Sequence, residues 1–359
     1  MKILFYISGY DGCGYYRVQM VAKYLNKLPN ITAKISSQYD NNEIKKADII
    51  VVQKQTNPKA LPYIRYARSI GKKVISECDD DYFNIPTWNP AYQYYKNLGN
   101  ELISFYTLSN AMTVTTNFLK NQLIKYNPNI YVTPNSIDFE TQDSFGKMSE
   151  VELKQFTRYM DMNQNDLPHS EVKEFLKDKI TIGWGGSPTH FRDLNQTTEA
   201  LSLICKENKN VVLVMLACCT DTLMKKVDPK QMILIKPVPI FRYHQVLASM
   251  KWDIGICPIE DNVFNKSKSN LKFLEFSING YPCICSDVEN YSSSIIHGEN
   301  GFLSKNDTQS WYENITRLIY YPELREIISN NAKKFVRENY NISKNILMWY
   351  DAYKEVLGG

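Results

Sequence analysis

Short apolar segments alternate with segments of helical hydrophobic spacing through the first half of the chain. The strand-like segments are Lys2–Ser8, Ile31–Ser36, Ala47–Gln53, Lys73–Glu77, Ala111–Thr115 and Ile130–Val132. The helix candidates between them are Tyr16–Leu28, Pro58–Ser69, Ala91–Ser109 and Asn117–Tyr126. Apolar strands joined by helices are typical of a parallel sheet covered on both faces. The pattern predicts a Rossmann-like N-terminal domain over residues 1–165.

The alternation starts again after a polar stretch, Met148–Asp178, in which the pattern indicates no clean strand. Strand candidates follow at Lys179–Gly183, Asn210–Cys218, Met232–Lys236, Trp252–Pro258 and Pro282–Ser286. Their helix candidates are Leu194–Lys206, Tyr243–Met250, Leu271–Asn279 and Thr308–Tyr320. A second Rossmann-like domain is therefore predicted at residues 175–340, facing the first across a cleft. The tail Ala332–Leu357 has a helical pattern, and its end, residues 341–359, is compatible with packing back on the first domain.

Composition narrows the class of protein without choosing a partner. Of 359 residues, 43% are hydrophobic and 22% are charged, which disfavours a disordered or fibrous chain. The net charge of +4 permits an anionic ligand but is weak for a dedicated nucleic-acid binder. Eight cysteines, mostly inside apolar runs, are expected to be reduced core thiols. The first residues have the pattern of a buried strand, and the sequence has no apolar run long enough to cross a membrane, so we expect a cytoplasmic protein without a transmembrane segment.

A glycine turn lies between the first strand and the first helix. Gly12 and Gly14 would let the backbone approach a ligand, and the helix that follows offers amide groups to an anion. The dinucleotide pattern GxGxxG is not completed, which disfavours a nicotinamide or flavin enzyme. A tight turn without a ligand is the alternative.

Three aspartates follow the strand at Lys73–Glu77. Open α/β sheets bind ligands beyond the carboxyl ends of their strands, which makes Asp80 the first and Asp79 the second candidate for a catalytic role. Either could act as a base or orient an acceptor hydroxyl. Binding of a divalent ion by the three aspartates, Asp79, Asp80 and Asp81, and a helix-capping acidic turn are the alternatives.

A second glycine loop begins the second domain. The amides of Gly185, Gly186 and Ser187 could cradle a phosphate, and Arg192 could neutralise it. His190 is a further candidate ligand, although a structural histidine is the alternative.

The segment after Asn265 carries the strongest chemical signal. Lys268, Ser269 and Asn270 are expected at a helix N-terminus, where a diphosphate finds amide donors and an ammonium group. Lys272 and Glu275 are three residues apart and share a face of that helix. A cation for phosphate beside a carboxylate for ribose hydroxyls is a coherent nucleotide site.

From this segment onward the chain resembles the large retaining family of GT-B glycosyltransferases, the glycosyl transferases group 1. The resemblance is carried by Leu274-Glu275, Gly280-Tyr281-Pro282, Ser286-Asp287 and His297-Gly298-Glu299-Asn300-Gly301-Phe302-Leu303. Weaker similarities are Gly12-x-Gly14, Pro134-Asn135-x-x-Asp138 and Gly185-Gly186-Ser187. In family order these landmarks span residues 12–303.

The resemblance implies that Glu275 binds ribose and that both glycine loops approach a UDP-sugar or GDP-sugar donor. It also implies retention of configuration and no metal in the chemical step. One departure concerns the donor sugar, because Ser267 stands where the family commonly has a glutamate eight residues before Glu275. The usual contact to that sugar is therefore missing from the sequence pattern.

On this reading Arg192, Lys268 and Lys272 neutralise the diphosphate as the sugar bond breaks. The leading acceptor class is a saccharide or a lipid-linked saccharide, and a modified base in DNA is the second. Two other classes stay open: a non-catalytic nucleotide-sugar or nucleic-acid binding protein on this fold, and a nucleotide-sugar epimerase.

Overall fold

The computed structural model describes residues 1–54, 58–144 and 148–358. The strands are β1 (Lys2–Tyr6), β2 (Thr32–Ser36), β3 (Ile49–Gln53), β4 (Lys73–Cys78), β5 (Ala111–Val114), β6 (Ile130–Val132), β7 (Tyr159–Met160), β8 (Asp166–Leu167), β9 (Ile180–Gly185), β10 (Val211–Leu216), β11 (Met232–Ile235), β12 (Ile254–Cys257), β13 (Cys283–Ser286) and β14 (Phe302–Ser304). The α-helices are α1 (Gly12–Gly14), α2 (Met20–Leu25), α3 (Asn41–Lys46), α4 (Leu61–Ser69), α5 (Tyr92–Asn97), α6 (Gly99–Leu108), α7 (Asn117–Leu123), α8 (Phe139–Ser144), α9 (Glu150–Phe156), α10 (His169–Leu176), α11 (Phe191–Asn195), α12 (Thr198–Glu207), α13 (Asp221–Lys226), α14 (Ile240–Met250), α15 (Val263–Lys266), α16 (Leu271–Ile278), α17 (Glu289–Ser292), α18 (Thr308–Tyr320), α19 (Pro322–Asn339) and α20 (Ile342–Gly358). A π-helical turn covers Tyr15–Gln19, and short 3₁₀ turns cover Pro58–Ala60, Pro188–His190 and Pro229–Gln231.

The chain divides into two compact units. The first comprises Met1–Phe139, Val263–Ser269 and Tyr340–Gly359, and the second comprises Glu140–Asn262 and Asn270–Asn339. Residues 140–165, which the sequence pattern placed with the first domain, lie in the second unit. The reason is that β7 pairs with β11, where Tyr159 lies opposite Ile235. Residues 263–269 lie in the first unit, although the residues before and after them belong to the second. Hydrophobic periodicity does not reveal that the chain returns to the first unit here.

A six-stranded parallel sheet forms the centre of the first unit. Its order is β2-β1-β3-β4-β5-β6. β3 is buried at every position, as expected for an interior strand of a parallel sheet. Because β1, β3 and β4 are neighbours and run in the same direction, the segments that follow them meet at one edge. That edge carries the first glycine turn, Lys54 and the aspartates.

An eight-stranded sheet, in the order β14-β13-β12-β9-β10-β11-β7-β8, forms the centre of the second unit. Six strands are parallel, and β7 and β8 join them antiparallel. The prediction of a Rossmann-like fold for both halves is confirmed. The pattern missed β7, β8 and β14, which have two or three residues each and are too short for a periodicity of two to register.

Two segments differ from the sequence prediction. The polar stretch before residue 178 holds α9, which begins with a capping box between Ser149 and Glu152, as well as α10 and the β7–β8 pair. The predicted tail helix Ala332–Leu357 is broken into α19 and α20, and between them Asn341 forms a bridge with Ile137. Trp349 and Tyr353 of α20 are buried. Within the described ranges, none of the helices has both the length and the apolar character needed to cross a membrane.

Ala217, directly after β10, has a left-handed backbone conformation with φ 72°. This conformation costs an L-residue about 1–2 kcal/mol, and glycine adopts it without that cost. The position therefore carries strain that its side chain does not relieve.

We expect Ala217→Gly to raise the free energy of unfolding by about 0.5–1 kcal/mol, because relief of strain exceeds the extra entropy that glycine gives the unfolded chain. Denaturant unfolding measures the change. Ala200→Gly, inside α12, is the control and should lower stability by about 1 kcal/mol. A loss of stability in Ala217→Gly as well would contradict the assignment of strain.

Candidate functional site

A buried arginine organises the edge of the first sheet. Arg17 lies in the π-helical turn and is 1% exposed. Its Nε and Nη2 donate to the two carboxylate oxygens of Glu77, at 2.6 and 3.1 Å. Its Nη1 donates to the Thr133 carbonyl at 2.6 Å and to Asn135 Oδ1 at 3.0 Å, and Nη2 also donates to Thr133 Oγ1 at 2.9 Å. All five guanidinium donors therefore have acceptors, and the group lies 4.4 Å from the centroid of the Trp349 ring.

Asp79 and Asp80 follow β4 immediately beyond this ion pair. The Tyr82 hydroxyl donates to Asp79 Oδ1 at 2.7 Å. Burial alone would raise the pKa of Asp79, but Lys54, the Cys13 thiol and Tyr82 outweigh it and hold the pKa below its ordinary value. Burial raises the pKa of Asp80, the charge of Asp79 raises it further, and Lys268 only partly opposes them. The pKa values of two adjacent carboxyl groups are thus shifted in opposite directions, a pattern that is also found at acid–base sites.

Asp81 has a structural environment. It is fully buried, accepts from the Asn84 amide nitrogen at 2.8 Å and accepts from the Phe83 backbone N–H at 3.2 Å. Its carboxylate thus closes a turn after β4. The acidic-turn alternative describes Asp81, and it leaves Asp79 and Asp80 as the chemical candidates.

Lys268 lies beside the aspartates, within the first unit. Its Nζ is 3.5 Å from Asp80 Oδ1 and 4.4 Å from the centroid of the Phe264 ring. Ser269 Oγ accepts from the Asn135 side-chain amide at 2.9 Å, which connects this segment to Arg17. The structure therefore brings together Asp79, Asp80 and Lys268, which the sequence analysis had treated as parts of two separate sites.

Ser267 is fully buried next to Lys268. Its hydroxyl donates to the Val263 carbonyl at 3.0 Å, and its own carbonyl accepts from Thr116 Oγ1 at 3.0 Å. The position at which the resemblance leads one to expect a glutamate is thus a packed part of the first unit.

In the first glycine turn, the packing of the backbone alone requires glycine at one position, Gly14. A Cβ on Gly14 would lie 1.9 Å from the Gly9 carbonyl oxygen, and the Gly14 amide already donates to Asp11 Oδ1 at 2.8 Å. A Cβ on Gly12 would meet no atom within 4 Å. The turn itself accounts for Gly14, whereas Gly12 borders open space.

In the second glycine loop, Gly186 and Ser187 also make contacts within the protein. The Gly186 amide donates to the Leu216 carbonyl at 3.2 Å, and a Cβ there would come within 2.7 Å of the Trp184 ring. This amide is therefore engaged by the sheet and does not point to a phosphate cradle. Gly185 ends β9 beside Leu216, and Ser187 Oγ lies 2.6 Å from Thr189 Oγ1.

His190 and Arg192 are both oriented by acidic residues of the second unit. His190 Nδ1 lies 2.7 Å from Asp193 Oδ2, and Asp193 Oδ1 accepts from the Glu260 backbone N–H at 2.8 Å. Arg192 Nη1 lies 3.9 Å from Glu260 Oε1. Asp193 is 2% exposed and was not a sequence candidate, although its spacing of three residues after His190 on one helical face was a usable signal.

Glu275 lies on α16 and is 5% exposed. Its Oε2 accepts from the Tyr243 hydroxyl at 3.1 Å. Asn270, at the start of α16, donates from its side-chain amide to Ser294 Oγ at 2.8 Å. Lys272 is one turn before Glu275 and half-buried. Lys272 and Glu275 thus lie on one helix of the second unit, with Asn270 directly before it, and Tyr243 is a contact of Glu275 that the sequence analysis missed.

In the part of the chain that the structure describes, no set of three or more His, Cys, Asp or Glu side chains is arranged to hold a metal ion. Lys54 and Lys268 supply positive charge beside Asp79 and Asp80, where a divalent ion would otherwise be one way to relieve their repulsion.

Comparisons with known proteins identify what the chain is similar to. Residues 271–335 match the model of the family described as glycosyl transferases group 1. Over 208 residues the chain is 23% identical to the capsular polysaccharide biosynthesis glycosyltransferase CapM of Staphylococcus aureus, covering 55% of this chain and 50% of CapM. The aligned part thus spans about half the length of that curated relative.

Two solved structures share the fold over almost the whole chain. A glycosyltransferase from Rickettsia africae superposes with a TM-score of 0.66 at 16% identity, covering 99% of this chain and 98% of the other. HepE of Anabaena, in complex with UDP and glucose, superposes with a TM-score of 0.68 at 12% identity, covering 99% and 100%. At these identities the likeness establishes the fold.

We expect Arg17→Met to lower the free energy of unfolding by about 3–5 kcal/mol, because it leaves Glu77 charged and buried without its partner. Denaturant unfolding measures the loss, and Arg17→Met/Glu77→Leu should recover part of it. The control is Arg158→Met, which removes an exposed ion pair with Asp166 and should cost less than about 1 kcal/mol. Equal losses in Arg17→Met and Arg158→Met would contradict a structural role for the buried pair.

Proposed function

We propose that this chain, which has the GT-B fold, belongs to the glycosyl transferases group 1 family and transfers a sugar from a nucleoside diphosphate sugar to a hydroxyl acceptor with retention of configuration. The observation that carries the proposal is the buried carboxylate of Glu275 on α16, held by the Tyr243 hydroxyl inside the segment that matches the family. A carboxylate in this position suits the two hydroxyls of a ribose.

The nucleotide is assigned to the second unit. Lys272, on the first turn of α16, brings an ammonium group to the end of a helix where backbone N–H groups favour a diphosphate. Arg192 and His190, on the segment after β9, are proposed to bind further phosphate oxygens. The UDP in the HepE structure supports a UDP-sugar as the first donor to test, ahead of a GDP-sugar. We expect no requirement for a divalent metal.

The acceptor is assigned to the first unit. Asp80 is proposed to orient the acceptor hydroxyl and to take its proton while the bond between acceptor oxygen and sugar carbon forms. The bond between that carbon and the diphosphate breaks, and the nucleoside diphosphate leaves with the electron pair. Retention follows when the acceptor oxygen attacks from the face that the diphosphate leaves. Because Lys268 pairs with Asp80, we assign Lys268 to this acid–base pair rather than to the diphosphate, which revises its role in the sequence analysis.

A neutral saccharide, free or lipid-linked, suits this acceptor site better than DNA does. Asp79 and Asp80 would repel the phosphates of a nucleic acid. CapM, the curated relative, is described as acting in capsular polysaccharide biosynthesis. All eight cysteines are unpaired, which supports the cytoplasm as the compartment.

A panel of UDP- and GDP-sugars, read first by thermal stabilisation and then by nucleotide release, tests the function. We expect stabilisation by at least one donor, nucleotide release that a saccharide acceptor accelerates, and no effect of a metal chelator. Binding without release would favour a non-catalytic protein on this fold. Conversion of the donor sugar without an acceptor would favour an epimerase.

For the donor identified in that panel, we expect Glu275→Gln to raise Kd at least tenfold, because a charge-assisted hydrogen bond to ribose is worth about 1.5–3 kcal/mol. Isothermal titration measures the affinity. Glu299→Gln, at an exposed position of the same unit, is the control and should bind like the wild type. An unchanged Kd in Glu275→Gln would remove Glu275 from the nucleotide site.

A further inference from the structure

Lys54 occupies a strained backbone position at the edge that carries the aspartates. It follows β3, its φ is 44°, and its backbone N–H donates to the Glu77 carbonyl at 3.0 Å. A left-handed conformation favours glycine, yet the chain has a lysine here. Strained residues concentrate at functional sites, where the surrounding structure holds them. A functional role for Lys54 would come from the contacts of its side chain.

The ammonium group of Lys54 points into the charged cluster beyond β4. Its Nζ lies 4.0 Å from Cys13 Sγ and 5.9 Å from the centroid of the Tyr82 ring. The side chain is half-buried, and it interacts electrostatically with both Asp79 and Asp80. Tyr82 and Cys13 also contact Asp79. Lys54 is thus on the side of the cluster occupied by Asp79.

Lys268 is the cation on the other side, 3.5 Å from Asp80. The two aspartates therefore differ in their direct contacts: Asp79 accepts from the Tyr82 hydroxyl and the Cys13 thiol, which lie beside Lys54, whereas Asp80 pairs with Lys268. The titratable and charged groups that influence the pair are Cys13, Arg17, Lys54, Glu77, Cys78, Tyr82, Tyr95 and Lys268.

We propose that Lys54 is a positioning residue that keeps Asp79 as an anion, so that Asp80 alone exchanges a proton with the acceptor. This inference rests on the proposed function of Asp80 and adds a residue to it. Without Lys54, two adjacent buried carboxyl groups would share one proton, because both cannot ionise side by side without a cation. Asp80 would then be blocked as a proton acceptor over a wider range of pH.

The consequence for pH dependence has a definite sign. Asp80 must be ionised to take the proton, so kcat/KM falls as the pH drops through the apparent pKa of the pair. Lys54 lowers the pKa of both Asp79 and Asp80. Its removal therefore moves the acidic limb of the profile to higher pH.

The test is the pH profile of kcat/KM for Lys54→Met and Lys54→Arg. We expect Lys54→Met to move the acidic limb up by about one pH unit, a loss of about tenfold in kcat/KM on that limb, and Lys54→Arg to keep the wild-type profile. Lys96→Met, which removes an exposed lysine of the same unit, is the control and should leave the limb in place. A uniform loss at all pH values with an unmoved limb would overturn the proposal.

A second readout does not need turnover. Lys54 lowers the pKa of the Cys13 thiol, which burial and Asp79 raise, so Lys54→Met should slow alkylation of Cys13 by iodoacetamide several-fold at alkaline pH. Peptide mapping by mass spectrometry separates Cys13 from the other cysteines. If the wild type turns over a donor but neither the limb nor Cys13 alkylation changes, the Lys54 inference fails and the proposed function stands. If the wild type turns over no donor, the proposed function fails, and the inference fails with it.

Discussion

The ion pair between Arg17 and Glu77 is the constraint on which the first unit depends. Both charges are removed from water, which is costly unless each is fully paired. Arg17 meets this demand by placing its five donors on acceptors of Glu77 in β4 and of Thr133 and Asn135 after β6. It therefore fixes where β4 ends relative to the chain after β6. Because Asp79 and Asp80 are the next residues, the same pair determines where the proposed acid–base groups lie.

The proposed chemistry is distributed over the two compact units of the chain. In the first unit, Lys54 and Lys268 flank two aspartates whose environments shift their pKa values in opposite directions. The second unit holds a buried glutamate, with a lysine one turn before it, on a single helix, and a histidine and an arginine oriented by acidic residues. The matched family segment, residues 271–335, falls within the second unit. The proposed nucleotide site thus lies in the unit that contains the family match, and the proposed acceptor site lies in the first unit.

The sequence predicted the parallel strands of both sheets because their apolar runs are long and are separated by helices. It selected Glu275, Asp79 and Asp80 from their positions at a helix and at a strand end. It could not place Lys268 beside Asp80, because that contact joins residues 188 positions apart and depends on residues 263–269 belonging to the first unit. Arg17, Lys54 and Tyr243 were missed because their roles also depend on contacts with residues that are distant in the sequence. Gly14 and Gly186 suggested ligand contacts, but a glycine that avoids a neighbouring carbonyl or ring has the same signature in sequence.

The central claim is that donor binding and proton acceptance belong to different residues on different units. Isothermal titration of the donor against Asp80→Asn, paired with a transfer assay on the same sample, tests this claim most directly. We predict that Asp80→Asn binds the donor like the wild type and transfers sugar at least a hundredfold more slowly, the range in which general base catalysis contributes. Transfer at the wild-type rate, or loss of donor binding together with transfer, would contradict the claim.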